Sequence, residues 1–360
     1  MGMTITFENK NYTTEAFIGL RDKELPHWAQ SAKAFLQAWE GESGTFPQQT
    51  SGSTGEPKVI LLTKEQMVIS AENTMAALHI PQKAKALHCI NSDYIGGKMM
   101  WVRALLGKWH VHLIEPKGHF HTEEFGSNYD IAAMVPLQIT NLFNDQRSGL
   151  LNRFSHVIIG GAAVSESLIV QLQDIQARCY STFGMTETVS HIALRTLNGE
   201  QKSNAYFLVG DNQIATDERG CLQIKGSVTR GEWISTNDVV EIIDNGFRWI
   251  GRFDMIVNSA GIKIQMEKAE AALNEQLGSI DQHCFYWKEA DELLGEKLIG
   301  LSDSVAFIEY LKAHAQVLKE KLPKYHFPKK WYLCHQIVFT GSNKVDRSAT
   351  AASSIKEFNF

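Results

Sequence analysis

Apolar positions change their spacing along the chain. From Pro57 to about residue 190, short β-rich apolar runs alternate with stretches of helical period, which predicts an α/β domain with a substantially parallel sheet. Lys58 to Leu62 reads as a strand. Thr63 then offers the hydroxyl of an N-cap and Gln66 the return partner of a capping box, so a helix is predicted from there to Leu78. Further strands are predicted over Val111 to Ile114, Ile131 to Val135 and His156 to Ile159. From about Gln213 the pattern shortens into strands and turns: Cys221 to Lys225, Val239 to Ile243 and, after the turn signal Asp244-Asn245-Gly246, Phe247 to Ile250. Beyond Arg252 come two alternating strands around Gly261, a helix from Glu267 to Gln276, strands near Cys284 and Leu298, and a helix from Ser304 to Lys321. The expectation is a large α/β domain over 1–251 that includes a β-rich subdomain, and a small mobile α+β domain over 252–360.

Composition narrows the function classes. Of 360 residues, 44% are hydrophobic and 21% charged, ordinary for a globular protein, and the net charge of -5 comes without a dense Lys/Arg block. Nucleic acid and anionic membrane surfaces are therefore not expected as partners. The polar N-terminus and the lack of any apolar run near 18 residues predict a cytoplasmic protein without membrane insertion. Cys89, Cys179, Cys221, Cys284 and Cys334 are scattered, with no metal-ligand spacing, and are expected to be reduced and buried. Nothing in the pattern fixes an oligomeric state.

The densest candidate chemistry is Thr50-Ser51-Gly52-Ser53-Thr54-Gly55-Glu56-Pro57-Lys58. Hydroxyl donors and backbone N–H groups at this density suit a polyphosphate, and glycine permits close approach. A Walker A loop would open a helix with Gly-Lys-Ser/Thr, whereas here Pro57 lacks an N–H and a strand follows, so the common NTPase design is disfavoured. A flexible Ser/Gly surface loop is the simplest alternative for such a stretch taken alone.

The order of residues in that loop resembles the signature of the AMP-forming adenylate superfamily of acyl-CoA synthetases, nonribosomal-peptide adenylation domains and luciferases. Further segments resemble the superfamily in its order: Ile158-Ile159-Gly160-Gly161-Ala162-Ala163, Ser181-Thr182-Phe183-Gly184-Met185-Thr186-Glu187-Thr188, Thr236-Asn237-Asp238, Gly251-Arg252-Phe253-Asp254 with Gly261 downstream, and Thr340-Gly341-Ser342-Asn343-Lys344-Val345-Asp346-Arg347. The resemblance implies that Thr50, Ser51, Gly52, Ser53, Thr54, Gly55 and Lys58 hold the β- and γ-phosphates. It implies that Gly160, Gly161 and Ala162 run beside adenine, that Phe183 stacks on it with Gly184 also at the nucleotide, and that Thr186 contacts the α-phosphate. Glu187 is implied as the magnesium ligand, Asp238 as the ribose partner, and Arg252 as reaching ribose or phosphate. Asp254 becomes the hinge, Gly261 lies on the strand that enters the site for the thioester step, and Lys344 is the catalytic lysine.

Asn237 and Asn343 stand where glycine is usual, and asparagine is the next best residue at φ > 0. The segment Asp93 to Arg103 occupies the place of the acid pocket, with Tyr94 where histidine is usual and Lys98, Arg103 and His191 as candidates to face the acid. Lys98 and Arg103 lie five apart, so on a helix at most one points into a pocket. Arg103 as an ordinary surface charge is the alternative. Within the superfamily the resemblance is nearest to a compact form of the o-succinylbenzoate–CoA ligases of menaquinone biosynthesis, shortened on the N-terminal side of the large domain. Implied co-substrates are a carboxylic acid, ATP and coenzyme A, with Mg2+ as cofactor. Two other readings stay open: a ligase for another acid or for a carrier protein, and a nucleotide-binding regulatory protein without catalysis.

Overall fold

The computed structural model describes residues 2–49, 58–277, 284–338 and 345–360. The chain divides into two compact units. The large unit comprises Met1–Asp217, Leu222–Thr236 and Glu241–Trp249; the small one comprises Glu218–Cys221, Asn237–Val240 and Ile250–Phe360.

In the large unit, the strands Phe154–Ile159, Tyr129–Met134, Lys85–His88, His110–Leu113 and Thr4–Phe7 pair parallel in that order, with Arg178–Gly184 parallel to Phe154–Ile159. Antiparallel strands close both flanks: Lys10–Thr13 on one, His191–Thr196 and then Tyr206–Leu208 on the other. Side chains alternate across the sheet, so a strand covered on both faces can be apolar throughout. Ile131, Ala133 and Ile158 enter one core with Trp101, Trp109 and Met67, while Ala132, Met134, Val157 and Ile159 enter the other with Leu142, Leu151 and Leu172.

The predicted helix after Thr63 forms over Lys64–Ala77 with the capping box closed: the Thr63 hydroxyl accepts from the Gln66 N–H and the Gln66 side chain accepts from the Thr63 N–H. The strand before it spans Val59–Thr63 and pairs with Thr45–Gln49, so this hairpin is the frame of the Ser/Gly loop. Thr50 to Pro57 lie outside the described residues. Strand order reverses at Lys85–His88, which is flanked by His110–Leu113 on one side and Tyr129–Met134 on the other. Ligands of open α/β sheets settle beyond the carboxyl ends of strands at such a reversal. The Asp93 to Arg103 segment follows directly from His88.

The small unit has a sheet in the order Ile262–Gln265, Ile256–Ser259, Gly295–Ser302, Lys330–Cys334 and Ser354–Asn359, with Cys284–Asp291 also paired to Gly295–Ser302. Helix Met266–Leu277 packs Ala269 and Leu273 into its core with Tyr286 and Trp331. The helix predicted from Ser304 to Lys321 is two helices, Val305–Ala313 and Ala315–Lys321. The break falls at His314, whose Nδ1 bonds the Tyr310 carbonyl (2.8 Å) and whose ring stacks on Tyr310 at 4.2 Å, so a local side-chain bond competes with helix continuation. All five cysteines are buried, and burial pushes the thiols of Cys89, Cys179 and Cys284 up to about 12. No helix among the described residues is long and apolar enough to cross a membrane.

Candidate active site

The hairpin made by Arg178–Gly184 and His191–Thr196 carries Phe183, Gly184, Thr186, Glu187 and His191. Gly184 pairs with His191, and the two backbones come so close that a Cβ on Gly184 would lie 2.1 Å from the Ser190 carbonyl oxygen. Gly160 ends the neighbouring strand, where a Cβ would stand 2.5 Å from the Thr182 Oγ1, and Gly161 follows at φ 84°, so both positions require glycine. Gly161 and Ala162 are exposed at the strand end. Phe183 is half-buried and set edge-on to Phe247 (4.9 Å, 77°) and Tyr206 (5.6 Å, 62°), which stack on each other. This aromatic set fixes the ring orientation without a hydrogen bond, which is why phenylalanine serves here in place of tyrosine.

Thr186 and Glu187 are half-buried and belong to a single 3-10 turn, Thr186–Thr188, rather than to the start of a longer helix. The chain cannot continue helically because Val189 takes φ 67° and ψ -58° and the Ser190 N–H donates to the Thr188 carbonyl at 2.7 Å. That is a γ-turn of the positive-φ kind, rare and strained for a β-branched residue.

Arg103, predicted either to face the acid or to be a surface charge, lies on helix Ile95–Gly107 and is only 1% exposed. Its Nη2 donates to the Ser190 Oγ (3.2 Å), its Nε has no hydrogen-bond partner, and among the described residues no carboxylate pairs with it. Burial holds its pKa down to about 10. His191 is buried too, with Nε2 3.0 Å from the Thr74 hydroxyl. Thr74 spends its proton on the Ser70 carbonyl, so His191 must donate from Nε2 and keep Nδ1 bare toward Ser190 (3.4 Å). Burial, with the Arg103 charge, keeps His191 well below the ordinary range and therefore neutral.

Two of the acid-pocket candidates lie apart from Arg103, as expected for Lys98 from its spacing on the helix. Tyr94 is 70% exposed and only precedes the helix as its backbone N-cap, and Lys98 donates to the Gln48 side chain (2.8 Å) instead of sharing Arg103's surroundings. Gly97 binds this segment tightly, since a Cβ there would lie 2.3 Å from the Asn91 carbonyl oxygen. Ser190 and Thr188 were not singled out in the sequence; a hydroxyl beside the Thr-Glu pair was the only available signal.

In the small unit, Asn237 and Asp238 lie within the strand Ile234–Ile243, and Asn237 has no positive φ, so asparagine stands there without needing glycine's freedom. The Arg252 Nε meets the Asp254 carboxylate at 3.1 Å. Burial works against the Arg252 charge, but the Asp254 hydrogen bond and the charges of Asp254, Asp238 and Glu267 raise its pKa overall. Gly261 is not on a strand: with Ala260 (φ 50°) and Gly261 (φ 82°) it forms the two-residue turn between Ile256–Ser259 and Ile262–Gln265, a turn that requires two positive φ angles. Lys344 lies outside the described residues.

The family described as "AMP-binding enzyme" matches residues 20–220, more than half of the chain. The chain belongs to that family. A solved acyl-CoA synthetase (AMP-forming)/AMP-acid ligase II-like protein from Dyadobacter fermentans is similar at 36% identity and TM-score 0.62, over 95% of this chain and 98% of its own. The 2-succinylbenzoate–CoA ligase of Salmonella typhimurium is 24% identical over 96% of this chain and 75% of its own length. The o-succinylbenzoate CoA synthetase of Bacillus subtilis, solved with ATP and magnesium ion, shares the fold with a TM-score of 0.65 at 17% identity, over 85% of this chain and 69% of its own.

This AMP-binding enzyme is thus an AMP-forming ligase of the acyl-CoA synthetase class. Among its described residues no group of three or more His, Cys, Asp or Glu could hold a metal by itself. A lone carboxylate such as Glu187 fits Mg2+ nonetheless, because that ion keeps several waters and binds through one or two carboxylates plus substrate phosphates.

Proposed function

We propose that this AMP-binding enzyme activates a carboxylic acid bearing a second carboxylate, with 2-succinylbenzoate as the foremost candidate, and passes the acyl group to coenzyme A. The observation that carries the substrate class is Arg103, a buried guanidinium that no carboxylate among the described residues pairs with. Arg103 donates to the half-exposed Ser190 hydroxyl, whose own proton lies within reach of the bare His191 Nδ1 (3.4 Å), and it presents positive potential to an incoming anion through that hydroxyl. The 24% identical relatives named 2-succinylbenzoate–CoA ligase support the same choice.

In the first half-reaction a carboxylate oxygen of the acid attacks the α-phosphorus of ATP and pyrophosphate leaves. In the second, a thiolate attacks the acyl carbon and AMP leaves. The Ser/Gly loop with Lys58 holds the β- and γ-phosphates, Phe183 and the Gly160-Gly161-Ala162 ledge flank adenine, and Asp238 accepts from the ribose hydroxyls. Thr186 contacts the α-phosphate. Lys344 places a compact positive charge where negative charge builds on the α-phosphate during displacement. Glu187 would hold Mg2+, which when bound neutralises phosphate charge. Arg252, tied to Asp254, reaches ribose or phosphate, and Asp254 lies at the hinge about which the small domain turns between the two half-reactions.

ATP–pyrophosphate exchange across a panel of acids tests this reading. Exchange should be strongest with 2-succinylbenzoate, and coenzyme A should then yield its thioester. Exchange with benzoate or fatty acids alone would overturn the substrate class, transfer only to a carrier protein would overturn the acceptor, and ATP binding without exchange would leave a nucleotide-binding protein.

A further inference from the structure

The link between Glu187 and Ser190 carries an inference that rests on the proposed reading of this site and deepens it. Two residues separate the group placed on the metal and phosphate from the group placed on the acid, and at the second of them the backbone takes a conformation rare for its residue type. Val189 combines φ 67° and ψ -58° with complete burial, and it is neither glycine nor asparagine. A β-branched residue at such a φ is strained and persists only where its surroundings over-determine it.

The surroundings that do so are on one side chain. The buried Thr188 hydroxyl accepts from the Met185 N–H (3.1 Å) and lies within donor range of both the Met185 carbonyl (3.0 Å) and the Ser190 carbonyl (2.8 Å). Having one proton, it shares that proton between the two carbonyls. Backbone bonds complete the knot: Thr188 N–H to Met185, Val189 N–H to Thr186 and Ser190 N–H to Thr188. Gly184 allows the hairpin to close tightly enough for the Ser190 carbonyl to reach this hydroxyl. A relaxed turn would swing the Ser190 hydroxyl away from the Arg103 guanidinium, to which it is joined across 87 positions of sequence.

We propose that Thr188 is a positioning residue for the ligase reaction: by pinning the γ-turn at Val189 it fixes the separation between the phosphate-facing Thr186–Glu187 and the acid-facing Ser190–Arg103. Thr188 touches neither the nucleotide nor the acid in this reading. Its effect should therefore fall on how the acid is held relative to the α-phosphate.

The test compares full-length wild type, Thr188→Val and Thr188→Ser. Valine keeps the branched shape and loses every hydroxyl bond; serine keeps the hydroxyl. In Thr188→Val, KM for the acid in pyrophosphate exchange should rise about tenfold or more while KM for ATP changes less than about twofold. Amide hydrogen exchange at Ser190 and Val189 should quicken by about tenfold or more, with the sheet amides unchanged. Thr188→Ser should restore both. The proposal is overturned if acid KM and Ser190 exchange match wild type in Thr188→Val, or if both KM values and the thermal midpoint shift together in it and in Thr188→Ser. Should wild type bind ATP yet exchange pyrophosphate with no acid, the proposed function fails. Local amide exchange in the two variants then still decides whether Thr188 pins the turn, and unchanged exchange overturns the proposal by itself.

Discussion

Two arginines of this enzyme hold opposite electrostatic positions. Arg252 in the small unit is half-buried, bonded to Asp254 and within the field of Asp238 and Glu267, and its pKa is raised. Arg103 in the large unit is almost fully buried, meets only a serine hydroxyl, and has its pKa held down to about 10. The first charge is satisfied by its own chain. The second is desolvated without compensation, and folding alone gives no reason to keep it, since an apolar side chain of similar volume in such a place is often neutral or stabilising. An expensive charge that meets a hydroxyl but no carboxylate among the described residues points to an external anion.

The sharpest way to break this comparison is Arg103→Met. Loss of a buried charge that recognises an anion costs about 2–5 kcal/mol in binding, so kcat/KM for a dicarboxylic acid should fall about 10²- to 10³-fold in pyrophosphate exchange. The thermal midpoint should stay level or rise. A midpoint several degrees lower with kinetics intact would make Arg103 a structural residue.

Acidification probes the same neighbourhood with a somewhat smaller effect. His88 is fully buried, stacked on Trp101 at 4.5 Å with Nε2 donating to the Gly97 carbonyl (3.1 Å), and burial holds its pKa down to about 4. The unfolded chain protonates this imidazole near 6.5 while the fold keeps it neutral. Its contribution is therefore intact above pH 6.5 and lost as pH falls from there toward 4, roughly 3 kcal/mol in all, with buried His191 acting in the same direction. Urea unfolding at pH 7 and pH 4.5 should show the large unit weakened, and His88→Phe should flatten that slope. An equal slope in the variant would discount His88.

The smallest effect belongs to the satisfied pair. Asp254 is 40% exposed, so solvent screens its bond to Arg252, and Asp254→Asn should move the unfolding free energy by less than about 1 kcal/mol in urea titration. A loss of several kcal/mol would show that Arg252 depends on Asp254 as a buried charge does, erasing the contrast with Arg103.

Much of the frame was legible in the sequence because its causes are local. The Thr63–Gln66 capping box, the apolar run Ile131 to Met134 and the strand Cys221–Lys225 all follow from residues within a few positions of one another. His314 shows where spacing misleads: the apolar period runs on through it, but its side chain bonds the Tyr310 carbonyl and the helix ends. Asn237 misleads differently, since its residue type suggests a positive φ and the strand around it is extended. Around Gly261 the alternation indicates the two strands rightly, while the family resemblance puts Gly261 on a strand where Ala260 and Gly261 make the turn between them.

By itself the sequence determined the superfamily pattern, the order of its motifs and the strand ends and turns that bear them, since each depends on residues adjacent in the chain. Only the tertiary structure decided that Arg103 is buried with no carboxylate beside it among the described residues, that Ser190 meets it from 87 positions away, and that Val189 bends against its own preference to bring Ser190 there. Burial and pairing of a charge are properties of everything packed around it, and no local spacing encodes them.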